Sequence, residues 1–213
     1  MVIDSAELEN DEFGYSCYTI VAPAPPELTK PLLDIEIAAG QTRAKIPAHV
    51  TVKGTLYAVT SLEGMIDEIH VVTARHEPFG LGTQGMELMG PDHSVIIGFE
   101  VNPSIQGLHD DLMTHIAPLG KPAYPGDPYR AHMSIVNQVG ADGAAIAKGL
   151  LDDIDFGSEL SIGVIDLMGR DGTVRDGVEY GTESNSLSLV QSVDHPHLSA
   201  VARESAFACI MSM

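Results

Sequence analysis

The chain has no tryptophan, two cysteines and only 11 lysine and arginine residues among its 213. Each shortage excludes something. Cys17 and Cys209 lie far apart and no C-x-x-C pair exists, so neither a disulfide framework nor a zinc ribbon is expected. No run approaches the roughly 18 apolar residues needed to cross a bilayer, so no membrane partner is expected either. The opening residues, MVIDSAELENDEF, are acidic and lack the basic flank and apolar core of a secretory signal, which predicts a cytoplasmic location. Against the 11 basic residues stand 30 acidic ones, giving a formal charge of −19. Long nucleic acid is held by successive phosphate contacts, so such a surface disfavours it and any phosphate ligand should be small. A salt-adapted surface would look the same. Charges beyond about 10 Å are screened at ordinary salt, so a small positive pocket is compatible with the acidity.

With 44% apolar residues the chain can bury a substantial core. SCYTIVAPAP (16–25) reads as a strand and turn, with a helix after about Glu27. The stretch around His49 alternates as a strand does. Thr60-Ser61-Leu62-Glu63 fits a capping box, and Leu62, Met65, Ile66, Ile69 and Val72 recur at helical spacing, predicting a helix over 61–75. Two strands, 79–90 and 93–103, flank a turn at Gly90-Pro91-Asp92. Asn102 and Pro103 open a helix with Ile105, Leu108, Leu112 and Ile116 on its buried face, ending near Gly120. A proline-rich loop (121–128), an alternating strand (129–136), a helix (142–153), a strand region (155–169), a hairpin signal at Arg170-Asp171-Gly172 and a strand near 184–191 follow.

The two halves echo one another. Each runs strand, proline, helix, histidine-bearing strand, helix, and then a strand from Phe-Gly to acidic-Leu-Met-Gly: Phe79-Gly80 to Glu87-Leu88-Met89-Gly90, and Phe156-Gly157 to Asp166-Leu167-Met168-Gly169. This predicts one duplicated two-lobe domain over 1–192, with repeats at about 16–92 and 93–192, and a tail (193–213) without a counterpart.

Within the repeats, His49-Val50-Thr51-Val52-Lys53 and Arg130-Ala131-His132-Met133-Ser134-Ile135 both alternate. Residues i, i+2 and i+4 of a strand share a face, so His49, Thr51 and Lys53 should project together, as should Arg130, His132 and Ser134. Brought together by a pseudo-twofold, they offer two imidazoles, two hydroxyls and two cations. That set suits phosphoryl transfer. An imidazole, with an unperturbed pKa near 6.5, serves as base or acid at neutral pH. Hydroxyls and fixed cations stabilise charge on the non-bridging oxygens. The three-residue pattern alone is weak: His197-Leu198-Ser199 matches too, but it follows Pro196 and has no duplicate.

HVTV (49–52) and HMSI (132–135) resemble the paired signatures of the two-histidine phosphoesterase superfamily, which includes 2'-5' RNA ligase-like proteins and cyclic phosphodiesterases; PAHVTVKGTL (47–56) is similar to an extended first motif in one bacterial branch. The resemblance spans about 16–191. It implies an α+β, bilobal fold with two antiparallel-rich sheets, helices outside and a central cleft carrying the two histidine strands. It also implies metal-independent catalysis by His49 and His132, without a cofactor, and phosphate contacts from Thr51 and Ser134. Ser134 stands where threonine is more usual and keeps the hydroxyl donor. The implied ligand is a small nucleotide or oligonucleotide end bearing a cyclic phosphate, met by a monomer.

Lys53 and Arg130 are the candidate substrate cations, with Arg43 and Lys45 at the rim. Tyr124 and Tyr129, ahead of the second motif, are candidates for stacking on a base, against loop anchoring as the plainer role. His195-Pro196-His197, His93, His109 and His115 show no ligand spacing for a metal, and GLGTQG (80–85) lacks the Lys-Ser/Thr of a phosphate-cradling loop.

Overall fold

The structure is a computed structural model and describes residues 12–41, 48–91, 93–122, 129–170 and 187–194. Arg43, Lys45, Tyr124, Asp171, Gly172 and the whole stretch 195–213 lie outside them. The order is β1 (Cys17–Pro23), α1 (Pro26–Ala38), β2 (His49–Tyr57), α2 (Leu62–Thr73), β3 (Phe79–Met89) and β4 (Ser94–Phe99), then α3 (Pro103–Ile116), β5 (Lys121–Pro122), β6 (His132–Val136), α4 (Gly140–Leu151), β7 (Glu159–Ile162), β8 (Val164–Arg170) and β9 (Leu187–Asp194). No helix among the described residues is long and apolar enough to cross a membrane.

The fold is α+β, as predicted. Its strands run β7-β3-β4-β6-β2-β1-β8-β9, with β5 on β2, and every recorded pair is antiparallel. Two leaves, β6-β4-β3-β7 and β2-β1-β8-β9, meet at the pair Val50–Met133. Each leaf takes in strands from the other half of the chain: β3 pairs with β4 in one, and β8, followed by β9, pairs with β1 in the other.

The predicted strand region 155–169 is in fact two strands broken at Gly163. β7 pairs with β3 at one end of the strand order, and β8 with β1 near the other. Six inter-strand steps of about 4.8 Å would separate them by about 29 Å in a flat sheet. One residue spans under 4 Å. The sheet must therefore curl until its distant strands come together at Gly163. A shallow apolar pocket at this seam, lined in part by Thr73, His76, Phe79, Leu108 and Ile162, shares no residue with the histidine strands.

The helices supply one face of the core through the predicted periodic positions: Met65, Ile69 and Val72 of α2 and Ile105, Leu108, Leu112 and Ile116 of α3 are all buried. The cap of α2 differs by one residue from the predicted box. Ser61 is the N-cap, its Oγ accepting from the Gly64 amide at 3.0 Å, while Thr60 is tied to the carbonyl of Leu119 through both its amide and its hydroxyl. At α3 the predicted cap holds. Asn102 Oδ1 accepts from the amides of Ser104 and Ile105, and its Nδ2 donates to Gly80 O at 2.8 Å, fastening the helix start to β3. Asn102→Ala is expected to lower unfolding free energy by about 1–2 kcal/mol, since a cap and a cross-link are lost together; chemical denaturation checks it.

Candidate active site

The sequence sets the histidine strands through their valine, methionine and isoleucine positions. Val50, Val52, Met133 and Ile135 have no exposed surface and belong to one core with Leu32, Met65, Ile105 and Leu112. Alternation then turns His49 and Thr51, and His132 and Ser134, to the other face, where all four are partly exposed.

The register decides what they meet. β2 and β6 are neighbours, antiparallel, and the recorded pair is Val50 with Met133, the residue that follows the histidine in each motif. Val50–Met133 is the one pair recorded between these strands; carried one step either way, that register would set His49 opposite Ser134 and Thr51 opposite His132. On that register the two imidazoles are diagonal neighbours, a relation in which residues lie about 7–8 Å apart and their Cβ atoms somewhat closer. That span can bracket a group the size of a phosphate. On the outer sides, Pro23 pairs with His49 and Gly98 with His132. Val21 pairs with Thr51 and Ile96 with Ser134, both buried, so the polar quartet has apolar shoulders. Among the described residues the hydroxyls of Thr51 and Ser134 make no hydrogen bond.

The ring of His132 is oriented from behind. Its Nδ1 lies 2.9 Å from Arg130 O; a carbonyl only accepts, so Nδ1 carries the proton and Nε2 is left for chemistry. The Arg130 guanidinium donates to both carboxylate oxygens of Glu87 at 2.5 and 2.6 Å. Gly98 makes room for this pair: a Cβ there would lie 2.5 Å from Glu87 Oε1. Arg130, still about half exposed, thus stands beside His132 with its charge shared.

Lys53 departs from the predicted open face. Between Ile20–Lys53 and Val21–Thr51 the register slips by one, which makes Val52 an extra residue in β2. Such a bulge interrupts alternation. Lys53 is 4% exposed and its Nζ donates to Gly54 O at 3.3 Å. Burial holds its ammonium below the usual lysine value of 10.5. The folded state then releases the proton first, so this group adds stability as pH rises from its lowered folded value to 10.5. Lys53→Met is expected to lose that rise. The check is the difference in melting temperature between wild type and variant across this alkaline window, in which contributions common to both cancel.

Tyr129 is committed to the protein interior rather than offered to a base. Its hydroxyl donates to Thr51 O at 3.1 Å and its ring stacks on His109, centroids 4.2 Å apart and 16° from parallel. Burial pushes its phenol well above the usual value of 10.0. His109 in turn donates from Nδ1 to Val52 O at 2.7 Å. His109 and Glu87 are neighbours of the site that the sequence reading named in other connections and did not place there. Glu87 sits in the repeated acidic-Leu-Met-Gly echo, which was a usable signal; His109 meets a backbone carbonyl, which leaves no spacing to read. Among the described residues no three His, Cys, Asp or Glu side chains gather as a metal site requires.

The model of the 2'-5' RNA ligase superfamily matches residues 24–173, more than two thirds of the chain, and contains both histidine strands. The chain belongs to the 2'-5' RNA ligase superfamily. Solved structures share the fold at low identity. Escherichia coli LigT complexed with 3'-AMP superposes with a TM-score of 0.57 at 13% identity, covering 84% of this chain and 97% of that one. A phosphoesterase gives 0.56 at 12% identity, over 84% and 97%. E. coli LigT complexed with phosphate gives 0.52 at 11%, over 84% and 96%. No curated protein matches the sequence. Membership in the 2'-5' RNA ligase superfamily makes phosphodiester chemistry of a phosphoesterase or ligase type the coarse assignment for this protein.

Proposed function

We propose that the protein is a metal-independent phosphodiesterase that opens a small cyclic phosphate, a nucleoside 2',3'-cyclic phosphate, or makes or breaks a 2'-5' phosphodiester. The observation that carries this reading is the Val50–Met133 register, which makes the two motif histidines diagonal neighbours with the other strand's hydroxyl opposite each. In hydrolysis, one imidazole takes a proton from water as the water oxygen bonds to phosphorus. The other protonates the ribose oxygen as its bond to phosphorus breaks. Thr51 and Ser134 donate to the non-bridging oxygens, where charge builds. For a 2'-5' linkage, a ribose hydroxyl replaces water in the bond-forming direction.

Small-ligand chemistry fits the formal charge of −19, which disfavours a long polyanion. LigT has been solved with 3'-AMP and with phosphate, ligands of the same size class. Arg130, two residues ahead of His132 and about half exposed, is the candidate cation among the described residues, and Arg43 and Tyr124 remain candidate contacts. The matching element order of the two halves supports the duplicated domain over 1–192.

The test incubates the protein with each of the four nucleoside 2',3'-cyclic phosphates and with 2'-5'-linked dinucleotides, following product by chromatography with His132→Ala in parallel. Turnover with a bell-shaped pH profile, unchanged by EDTA and lost in the variant, is expected. Binding without turnover would instead make the cleft a non-catalytic nucleotide or cyclic-phosphate receptor.

A further inference from the structure

We propose that Tyr129 and His109 form a wedge that stops β2 and β6 from zipping together beyond Val50–Met133, and so act as positioning residues for the histidine strands. An antiparallel pair normally continues until a turn or an edge ends it. Here it does not. One register step past Val50–Met133, Thr51 faces His132; the next steps would set Val52 against Ala131 and Lys53 against Arg130. The two β2 carbonyls at this point are already taken: Thr51 O accepts from Tyr129 and Val52 O accepts from His109. Further along, β2 pairs instead with β5, at Leu56–Pro122 and Tyr57–Lys121. Side chains from α3 and from the residues ahead of β6 thus occupy the gap.

The bulge makes the arrangement possible. In a regular strand, carbonyls of consecutive residues point to opposite sides. The extra residue at Val52 disturbs that order and lets two successive carbonyls meet donors from the α3 side. The near-parallel ring stack joins the two donors, so neither can withdraw without disturbing the other. Thr51 lies between His49 and Val52, and the carbonyl fixed by Tyr129 is its own. The wedge therefore sets the position of a hydroxyl aimed at the reacting phosphate and of the imidazole two residues before it.

The kinetic part of this proposal rests on the phosphodiesterase reading, while the structural part does not, and the experiment separates them. Tyr129→Phe keeps the ring and removes only the hydroxyl, so the fold should survive. Turnover of a nucleoside 2',3'-cyclic phosphate is expected to fall about five- to tenfold in kcat with KM changed less than about twofold, the mark of misplacement rather than lost binding. His109→Ala should behave alike. His109→Asn, whose amide can still reach Val52 O, should recover most of the rate. In parallel, amide hydrogen exchange by NMR should quicken over residues 51–54 and at Ala131 and His132 in Tyr129→Phe, and not in α2. A rise in KM at unchanged kcat would make Tyr129 a direct substrate contact and overturn the proposal. Unchanged kcat and unchanged exchange would overturn it as well. If wild type turns over none of these substrates, the phosphodiesterase reading fails and the exchange measurement alone decides the wedge.

Discussion

Replacing His49 or His132 with alanine is expected to lower kcat for opening a nucleoside 2',3'-cyclic phosphate by about 10²- to 10⁴-fold, the usual contribution of a positioned general acid or base. KM should move little, because each imidazole does its work on a proton that shifts only in the transition state. The double variant should be scarcely worse than the poorer single one. Once the base is gone, the acid acts on a leaving oxygen that no activated nucleophile is displacing. Two histidines acting on one phosphate, as proposed, give this coupling; two histidines serving unrelated sites would give losses that multiply. Steady-state kinetics on the three variants, with folding checked by circular dichroism, reads the outcome.

Thr51→Val and Ser134→Ala should each cost about 10²-fold in kcat, the scale of one preorganised donor to a charged oxygen. Thr51→Val is close to isosteric, so packing against the buried Val21 is kept and the loss reports the hydroxyl. Thr51→Ser should restore most of the rate, as the occurrence of serine at 134 already suggests that either alcohol serves. A Thr51→Val variant with full activity would remove the hydroxyl from the mechanism and leave only the histidines.

Much of this arrangement was legible because a strand's side-chain period of two is a local property. His-Val-Thr-Val and His-Met-Ser-Ile declare which residues enter the core, and the structure buries those four apolar residues completely. The same rule failed at Lys53, two residues further on. Its exception, the bulge at Val52, arises from pairing with β1 and cannot be seen from β2 by itself. Gly163 teaches the same lesson. A run of strand formers gives no sign that its first half pairs at one end of the strand order and its second near the other. The cap of α3 was readable because Asn102 and Pro103 act within one turn, whereas the cap of α2 fell to Ser61 since Thr60 was drawn off by Leu119, a partner 59 residues away. The links from Tyr129 and His109 to backbone carbonyls are non-local as well, and a carbonyl carries no residue identity for a pattern to catch.

The most direct test of convergence on one phosphate needs no turnover. Imidazole nitrogen resonances of His49 and His132, assigned through the single alanine variants, are followed by NMR while inorganic phosphate and then 3'-AMP are added. The expected result is that both rings respond together along one saturation curve, and that either alanine substitution weakens the binding reported by the other ring. Independent responses with different midpoints, or a response from one ring alone, would contradict a shared site.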